Sequence, residues 1–424
     1  MNGDRESGRF YHSGVILVIT LFAVLVFAIL YPMPSPLITT ICEDTGWDLR
    51  QAGNLVSVFA LVMAFATFTT SGLIDHLGVK RTALVACAFA GVGGVMSFFG
   101  GVSYPFHYTA RLISGIGYGI FTPLTPAIIS QWFCQSRQPF LQGLRATADF
   151  AGGSLAYFII VPIAQWVHSW QAAFGILGLA CVAVLLLYGI FYPQAEKPAR
   201  SKGEGPGPYG RSSSLLRALR QKWVWMIALS QLFKGITYNA FTIYLPTFLE
   251  IERGYTRQAA SHMTGILQIA GLFTGLVAGM ISSALGRRKI LGWPMVLFIV
   301  IGGVMAVSAE HGILIALGTF LVGSGVCGHM VFYTTVPGDI TGGKDPGLVA
   351  ASLALTLGLS FAVSYAIPTL LQLLLDWGMT MQKAMILLIL PCLAAIPPMV
   401  LIRETGPAGK DARSGSMPYA TKKH

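Results

Sequence analysis

Ser71-Gly72-Leu73-Ile74-Asp75-His76-Leu77-Gly78-Val79-Lys80-Arg81 is a short polar stretch between two apolar runs, each about twenty residues long, the length that crosses a bilayer. An acid, a glycine and two bases in so few residues suit a tight turn joining two membrane helices at a water surface. A second copy lies downstream: Gly279-Met280-Ile281-Ser282-Ser283-Ala284-Leu285-Gly286-Arg287-Arg288-Lys289. Gly78 and Gly286 are 208 residues apart in a chain of 424. A spacing near half the length predicts an internal duplication.

The composition around these stretches is that of a membrane protein. Hydrophobic residues make up 54% and charged residues only 11%, against roughly 25% charged in a soluble domain. The apolar runs do not alternate with period two, which excludes a β-barrel. The net charge of +11 comes from bases gathered in the polar segments, so it speaks for membrane orientation rather than nucleic acid. The six cysteines form no CxxC pair, so no metal site or disulfide framework is expected. The first apolar run is too long for a signal peptide core and reads as a retained first helix.

Twelve spans can be drawn, at about 13–35, 51–74, 81–102, 107–131, 143–164, 171–192, 223–249, 259–284, 288–308, 312–336, 347–375 and 381–402. The expected fold is all-α and polytopic, with twelve transmembrane helices in two pseudo-symmetric six-helix bundles. Residues 1–193 form the first bundle and 223–402 the second. The Gly-, Pro- and Ser-rich segment 194–222 reads as a cytoplasmic linker and 403–424 as a polar tail. With the N-terminus in the cytoplasm, the inner segments hold Lys80, Arg81, Arg137, Arg287, Arg288, Lys289, seven linker bases and five tail bases. Outer segments hold Arg50, Arg253, Arg257 and Lys383. This bias places both termini inside, in the cytoplasmic membrane.

The repeat recurs elsewhere. Gly46-Trp47-Asp48-Leu49-Arg50-Gln51-Ala52 is echoed by Gly254-Tyr255-Thr256-Arg257-Gln258-Ala259, and Gly115 and Gly117 by Gly323 and Gly325. Two six-span halves related by a parallel repeat are one of the internal symmetries of secondary transporters. On these residues the chain resembles the major facilitator superfamily over all twelve spans. The family's loop signature is Gly-x-x-x-Asp-x-x-Gly followed by bases. Asp75, Gly78, Lys80 and Arg81 match it, while Ser71 replaces the first glycine. In the second half Gly279, Gly286, Arg287 and Arg288 match, and Ser283 replaces the acid. Arg111 before Gly115, Gly117 and Gly119 is similar to the family's fourth-span signature. The Gly-Pro pair usual in span five of drug antiporters is absent from Ala148-Asp149-Phe150-Ala151-Gly152-Gly153-Ser154. The resemblance implies that the 71–81 loop is a gate, with Asp75 as its latch.

Ionisable groups inside a span cost about 2.5–3.5 kcal/mol each by insertion scales, so each asks for a reason. They are Arg111, Arg145, Asp149 and Lys234. Shifting each by 208 residues lands on Thr319, Leu353, Leu357 and Val26, so the fold accepts uncharged residues there. Lys234 stands eleven residues beyond Trp223, hence ~16 Å along a helix and near the midplane. It is either a ligand for an anionic substrate or a structural partner of Asp149. Tyr238 lies one turn on, on the same face, and Asn239 follows it. The resemblance implies a cavity-facing Arg111 near the substrate, against an interfacial snorkeller. Arg145 and Asp149, four apart, share a helix face and can pair. Asp149 is the candidate proton-coupling group, against a structural ion pair. Gln268, His329, Tyr333 and Tyr365 are weaker polar candidates that helix–helix hydrogen bonds would also explain.

The expected function is therefore secondary transport of a small organic anion by alternating access, coupled to protons or exchanged for a counter-anion. The protein would work as a monomer in the bilayer, without cofactor, metal or nucleic acid. Efflux of amphipathic drugs, with Asp149 as the antiport carboxylate, is the transport alternative. A non-transporting receptor on the same fold is the alternative from another class. No HExxH, GxSxG or Walker loop occurs, so an enzyme is not expected.

Overall fold

A computed structural model describes residues 2–134, 137–192, 212–341 and 346–406. Residues 193–211 of the expected linker and 407–424 of the expected tail lie outside the described residues. The described chain is a series of helices: α1 (Asn2–Leu30), α2 (Ile38–Thr45), α3 (Leu49–Thr67), α4 (Thr70–Met96), α5 (Tyr104–Trp132), α6 (Gln138–Trp166), α7 (Trp170–Phe191), α8 (Ser212–Leu219), α9 (Lys222–Ile251), α10 (Arg257–Leu285), α11 (Trp293–Ser308), α12 (Gly312–Thr341), α13 (Pro346–Asp376), α14 (Met381–Ile389) and α15 (Ile396–Leu401). Short 3₁₀ turns join several of them.

Among the described residues, eleven segments are long and apolar enough to cross a membrane. The expected seventh span is present as α9, a 30-residue helix. It is long enough to cross but is not among those eleven, and Gln231, Lys234, Thr237 and Asn239 are polar residues along its middle.

The 71–81 stretch corrects the expectation of a loop. The helix of α4 begins at Thr70, before the polar residues, and continues to Met96 with a single break at Gly78 (φ 79°, ψ 166°). Only glycine enters that region without strain, so one residue does the work of a turn. Gly286 (φ 61°) ends α10 at the equivalent place, and Gly46 (φ 73°) and Gly254 (φ 66°) form a second positive-φ pair at the same offset. The helices that follow this second pair start alike. Asp48 caps α3 by accepting from Gln51 N at 2.6 Å, and Gln51 Oε1 accepts from Asp48 N at 3.1 Å. Thr256, the repeat equivalent of Asp48, accepts from Ala259 N at 3.3 Å. Each cap satisfies N–H groups that a helix start leaves without partners.

Close packing divides the chain into two compact units. The first takes the described residues of Met1–Gly210 with Asn239–Gln268 and Phe361–Ala384. Its helices approach through small residues on α5. A Cβ on Gly115 would meet the backbone of Phe59, one on Gly117 that of Ala86 and Ala90, and one on Gly119 that of Met63. The second unit takes the described residues of Arg211–Tyr238, Ile269–Ser360 and Met385–His424. There α11 and α12 touch where Gly302 faces Gly318 and Gly325 faces Met295. Small residues let helix backbones approach where lipid offers no hydrophobic drive.

Candidate functional site

In the first unit the chain breaks at Pro32, Pro34 and Pro36, after α1. A helical carbonyl accepts from the N–H four residues on, and proline has none. Leu30 O therefore loses its donor at Pro34. Tyr31 O loses its own because Ser35 N bonds to Pro32 O instead, at 2.9 Å. Arg111 replaces both. Its Nη1 donates to Leu30 O at 2.7 Å, Nη2 to Tyr31 O at 2.9 Å, and Nε to Leu55 O at 2.7 Å. The guanidinium also sits 4.4 Å from the centre of the Phe59 ring. Arg111 is 2% exposed. The sequence suggested a cavity-facing arginine; here it binds the broken end of α1 to α3 and α5.

From that break onward, Tyr31 and Ser35 of the connection and Thr39 and Glu43 of α2 are laced to the segment Asn239–Arg257 of the same unit. Tyr31 Oη donates to Asn239 Oδ1 at 3.0 Å. Ser35 Oγ reaches Thr242 O and Ile243 O at 2.7 and 2.8 Å, and Thr39 Oγ1 donates to Glu250 at 2.7 Å. Arg257 pairs with Glu250 at 3.0 Å and Glu43 at 3.1 Å. Tyr157 Oη donates to Thr242 O at 2.7 Å and Tyr244 Oη to Leu49 O at 2.8 Å.

Asp149 lies on α6. Tyr118 Oη donates to its Oδ1 at 2.5 Å, and Phe27 stacks on Tyr118 with ring centres 6.0 Å apart. The pairing that the i,i+4 spacing permits between Arg145 and Asp149 is not formed among the described residues. Arg145 Nε is buried and has no hydrogen-bond partner among them. A tyrosine from α5 takes that place, because the helix face carrying Asp149 packs towards α5. Asp75 is exposed and makes no ion pair with Lys80 or Arg81. Lys80 Nζ donates instead to Gly189 O at 3.1 Å.

The second unit holds Lys234. Its side chain is 3% exposed, and among the described residues it has no carboxylate or hydrogen-bond partner. Its Nζ lies 5.7 Å from the centre of the Tyr238 ring and 6.0 Å from that of Tyr333. Lys234 and Tyr238 share a face, as their spacing requires. The close approach of α9 to α13 at Gly235, where a Cβ would meet Ser360 Oγ, fixes the register of this face. Two more buried polar atoms stand without partners among the described residues: Gln231 Oε1 and His329 Nδ1. His329 Nε2 lies 3.5 Å from Ser230 Oγ. A buried ammonium costs about 2.5–3.5 kcal/mol. A ring face near the 6 Å limit returns about 0.5–1 kcal/mol, so the two rings leave part of that cost unmet.

Three groups were missed by the sequence reading: Tyr31, Tyr118 and Gln231. Tyr31 is legible in retrospect as the repeat equivalent of Asn239, and Gln231 as the i−3 neighbour of Lys234. Tyr118 carried no signal, since tyrosines in spans are common. In the second half Arg288 Nε pairs with Asp339 at 2.9 Å and donates from Nη1 to Ser282 Oγ at 3.0 Å. Arg287 is exposed and Gly279 has open space around it.

Comparison with known proteins places these features in a family. The profile described as Major Facilitator Superfamily matches residues 17–364. Over 257 residues the chain is 23% identical to the probable sulfoacetate transporter SauU of Cupriavidus necator, covering 58% of this chain and 59% of that protein. Over 244 residues it is 26% identical to the hexuronate transporter of Bacillus subtilis, covering 56% of each. The chain therefore spans less than two thirds of the length of these curated relatives. A bacterial homolog to the human lysosomal transporter Spinster, solved inward-facing and unoccupied, superposes with a TM-score of 0.75 at 15% identity, covering 97% of this chain and 99% of that one.

Proposed function

Because this chain belongs to the Major Facilitator Superfamily, a family of multi-pass membrane transporters rather than enzymes, we propose that it carries a small organic anion across the cytoplasmic membrane by alternating access. The observation that carries the reading is Lys234, a buried cation without an anionic partner among the described residues, between Tyr238 and Tyr333. A carboxylate or sulfonate beside it would supply the missing compensation. Gln231 Oε1 would accept from a hydroxyl group of a hexuronate-like cargo, and an Nδ1–H of His329 and the tyrosine hydroxyl groups could donate to the anion's oxygens. The relatives whose names record sulfoacetate and hexuronate as cargo support an anion of this size.

Asp149 is the proposed proton site, with Tyr118 as its hydrogen-bond partner, and transport is proton-coupled or exchanges anions. Arg111 has a positioning role within the first unit, holding the end of α1 where Tyr31 meets Asn239. Residues 1–193 and 223–402 act as the two moving halves, with 194–222 and both termini in the cytoplasm. In that orientation the lacing of residues 31–43 to Asn239–Arg257 closes the outer end. Asp75, Gly78, Lys80, Arg81, Gly279, Gly286, Arg287 and Arg288 form the inner gate.

The test is uptake of radiolabelled sulfoacetate and glucuronate into proteoliposomes, with and without a pH gradient. Uptake of either that is lost in Lys234→Gln supports the reading. Absence of flux for every anion, with retained binding, would favour a receptor. Efflux of a cationic dye unaffected by Lys234→Gln would favour the drug reading. Orientation is read separately: a cysteine at Gly205 should resist an impermeant thiol reagent in intact cells.

A further inference from the structure

The start of α9 and the end of the described chain enclose a cavity of about 570 Å³ in the second unit, lined by Arg220, Lys222, Trp223, Asp339, Arg403 and Glu404 among others. Its two acids are already committed. Asp339 Oδ2 accepts from Arg288 Nε at 2.9 Å and Thr405 Oγ1 at 3.3 Å. Glu404 accepts from the backbone N–H groups of Arg288 (2.7 Å), Lys289 (3.3 Å), Thr405 and Gly406 (both 3.1 Å). The three bases are different. Arg220, Lys222 and Arg403 are exposed and make no ion pair among the described residues. Three uncommitted cations thus line one cavity whose carboxylates point at other donors.

Apolar side chains are exposed next to these bases in the chain: Leu216, Leu219 and Trp225 by 59%, 37% and 39%, and Leu401, which lines the cavity itself, by 68%. On α8, Leu215, Leu216 and Leu219 accompany Arg217, and Arg220 follows directly, the composition of a helix lying in a membrane interface. Trp225 is tied to this helix through a hydrogen bond from Nε1 to Leu219 O at 2.8 Å, and tryptophan favours the headgroup level. The flanking stretches 193–211 and 407–424 are each net basic, so charge argues against either as the occupant.

We infer that this cavity binds the phosphate headgroup of an acidic phospholipid, with Arg220, Lys222 and Arg403 as its cationic ligands and the exposed leucines and Trp225 against its acyl chains. A soluble phosphate shares the oxyanion chemistry but makes no use of the exposed apolar side chains. Arginine provides paired donors that match phosphate oxygens, and lysine a point charge. Basic pockets between membrane helices bind anionic headgroups by this chemistry. The inference stands apart from the identity of the transported anion.

The test uses the purified full-length protein in neutral detergent, with melting temperature read against added phosphatidylglycerol, phosphatidylcholine, glycerol phosphate or inorganic phosphate. Phosphatidylglycerol should give a saturable rise that phosphatidylcholine does not. The triple variant Arg220→Gln, Lys222→Gln, Arg403→Gln should need roughly tenfold or more lipid for the same rise. The charge-conserving variant Arg220→Lys, Lys222→Arg, Arg403→Lys should respond like the parent. Equal rises with both lipids would overturn the inference, as would an unchanged response of the neutral triple variant. A rise reproduced by inorganic phosphate or glycerol phosphate alone at the same concentration would mark a soluble-anion site and overturn the lipid assignment. If the triple variant does not fold, Arg403→Gln alone, at an exposed position, carries the same comparison with a smaller expected loss.

Discussion

Tyr31 and Asn239 are joined by a hydrogen bond of 3.0 Å and stand 208 residues apart, the offset that relates the two halves of the sequence. Ser35 and Ile243 are bonded at the same offset, at 2.8 Å. The break after α1 and the matching part of α9 meet at these two bonds. An internal symmetry that the sequence expresses as spacing becomes here a contact.

Arg257→Gln should loosen the same end of the molecule. Arg257 pairs with Glu250 and Glu43, and partly exposed pairs of this kind contribute about 0–1 kcal/mol each. The native Cys42 beside Glu43 is half-buried and serves as the probe. In a Cys134→Ser background, Arg257→Gln should raise the rate at which an impermeant thiol reagent labels Cys42 by a few-fold. Glu43→Gln, at the more exposed partner, should change it less. Equal rates in all three proteins would show that the ion pairs do not hold this end shut.

Lys234→Gln should abolish the rise in melting temperature that a bound anion produces. The apo protein should melt no lower than the parent, since an uncompensated buried ammonium is removed. Lys234→Arg keeps the charge but not the compact geometry and should bind more weakly. A large drop in apo stability for Lys234→Gln would indicate a fixed carboxylate partner. Restoration by a second substitution, Asp149→Asn, would identify that partner.

Arg111→Gln should destabilise the protein by about 2–4 kcal/mol, because it strands buried carbonyls that prolines have already deprived of donors. Arg111→Lys should recover only part of this, since one ammonium cannot reach three carbonyls in the same geometry. Melting of the apo protein measures it. Full stability in Arg111→Lys with lost anion binding would instead make Arg111 a substrate ligand.

Asp149→Asn should separate coupling from movement. Accumulation driven by a pH gradient should be lost, while exchange of anion between the two sides continues. Tyr118→Phe removes the 2.5 Å hydrogen bond to Asp149 and should give an intermediate loss. Counterflow and gradient-driven uptake in proteoliposomes distinguish these outcomes.

Glu404 makes the stability of the second unit depend on pH. Burial alone would raise its pKa, but the backbone N–H groups of Arg288, Gly406, Lys289 and Thr405 outweigh it, and the value lies below the usual carboxylate range. A folded-state pKa below the unfolded one gives stability that is present above the unfolded pKa and lost as pH falls through the folded one. Glu404→Gln should therefore melt below the parent at neutral pH, and the gap should close in acid beneath the carboxylate range. A gap independent of pH would assign the loss to packing.

The spans, the duplication and the caps were legible because each depends on local chemistry. A backbone in hydrocarbon must bond to itself within one helix, so eleven of the spans are written as continuous apolar runs. Positive-φ glycines and N-caps act within a few residues, so Gly46, Gly78, Gly254 and Gly286, and Asp48 with Thr256, stand out at one offset. The face shared by Lys234 and Tyr238 follows from helical spacing alone. What the buried charges touch had to come from the packing of helices far apart in the chain. Arg111 on α5 reaches carbonyls of residues 30, 31 and 55. Asp149 prefers a tyrosine 31 residues away to the arginine one turn along its own helix. Lys234 finds the Tyr333 ring across from α9. A spacing rule says which side chains on one helix can meet, but a neighbouring helix offers competing partners, and desolvation makes the best-placed partner win. That choice is made by tertiary packing, and no single stretch of sequence encodes it.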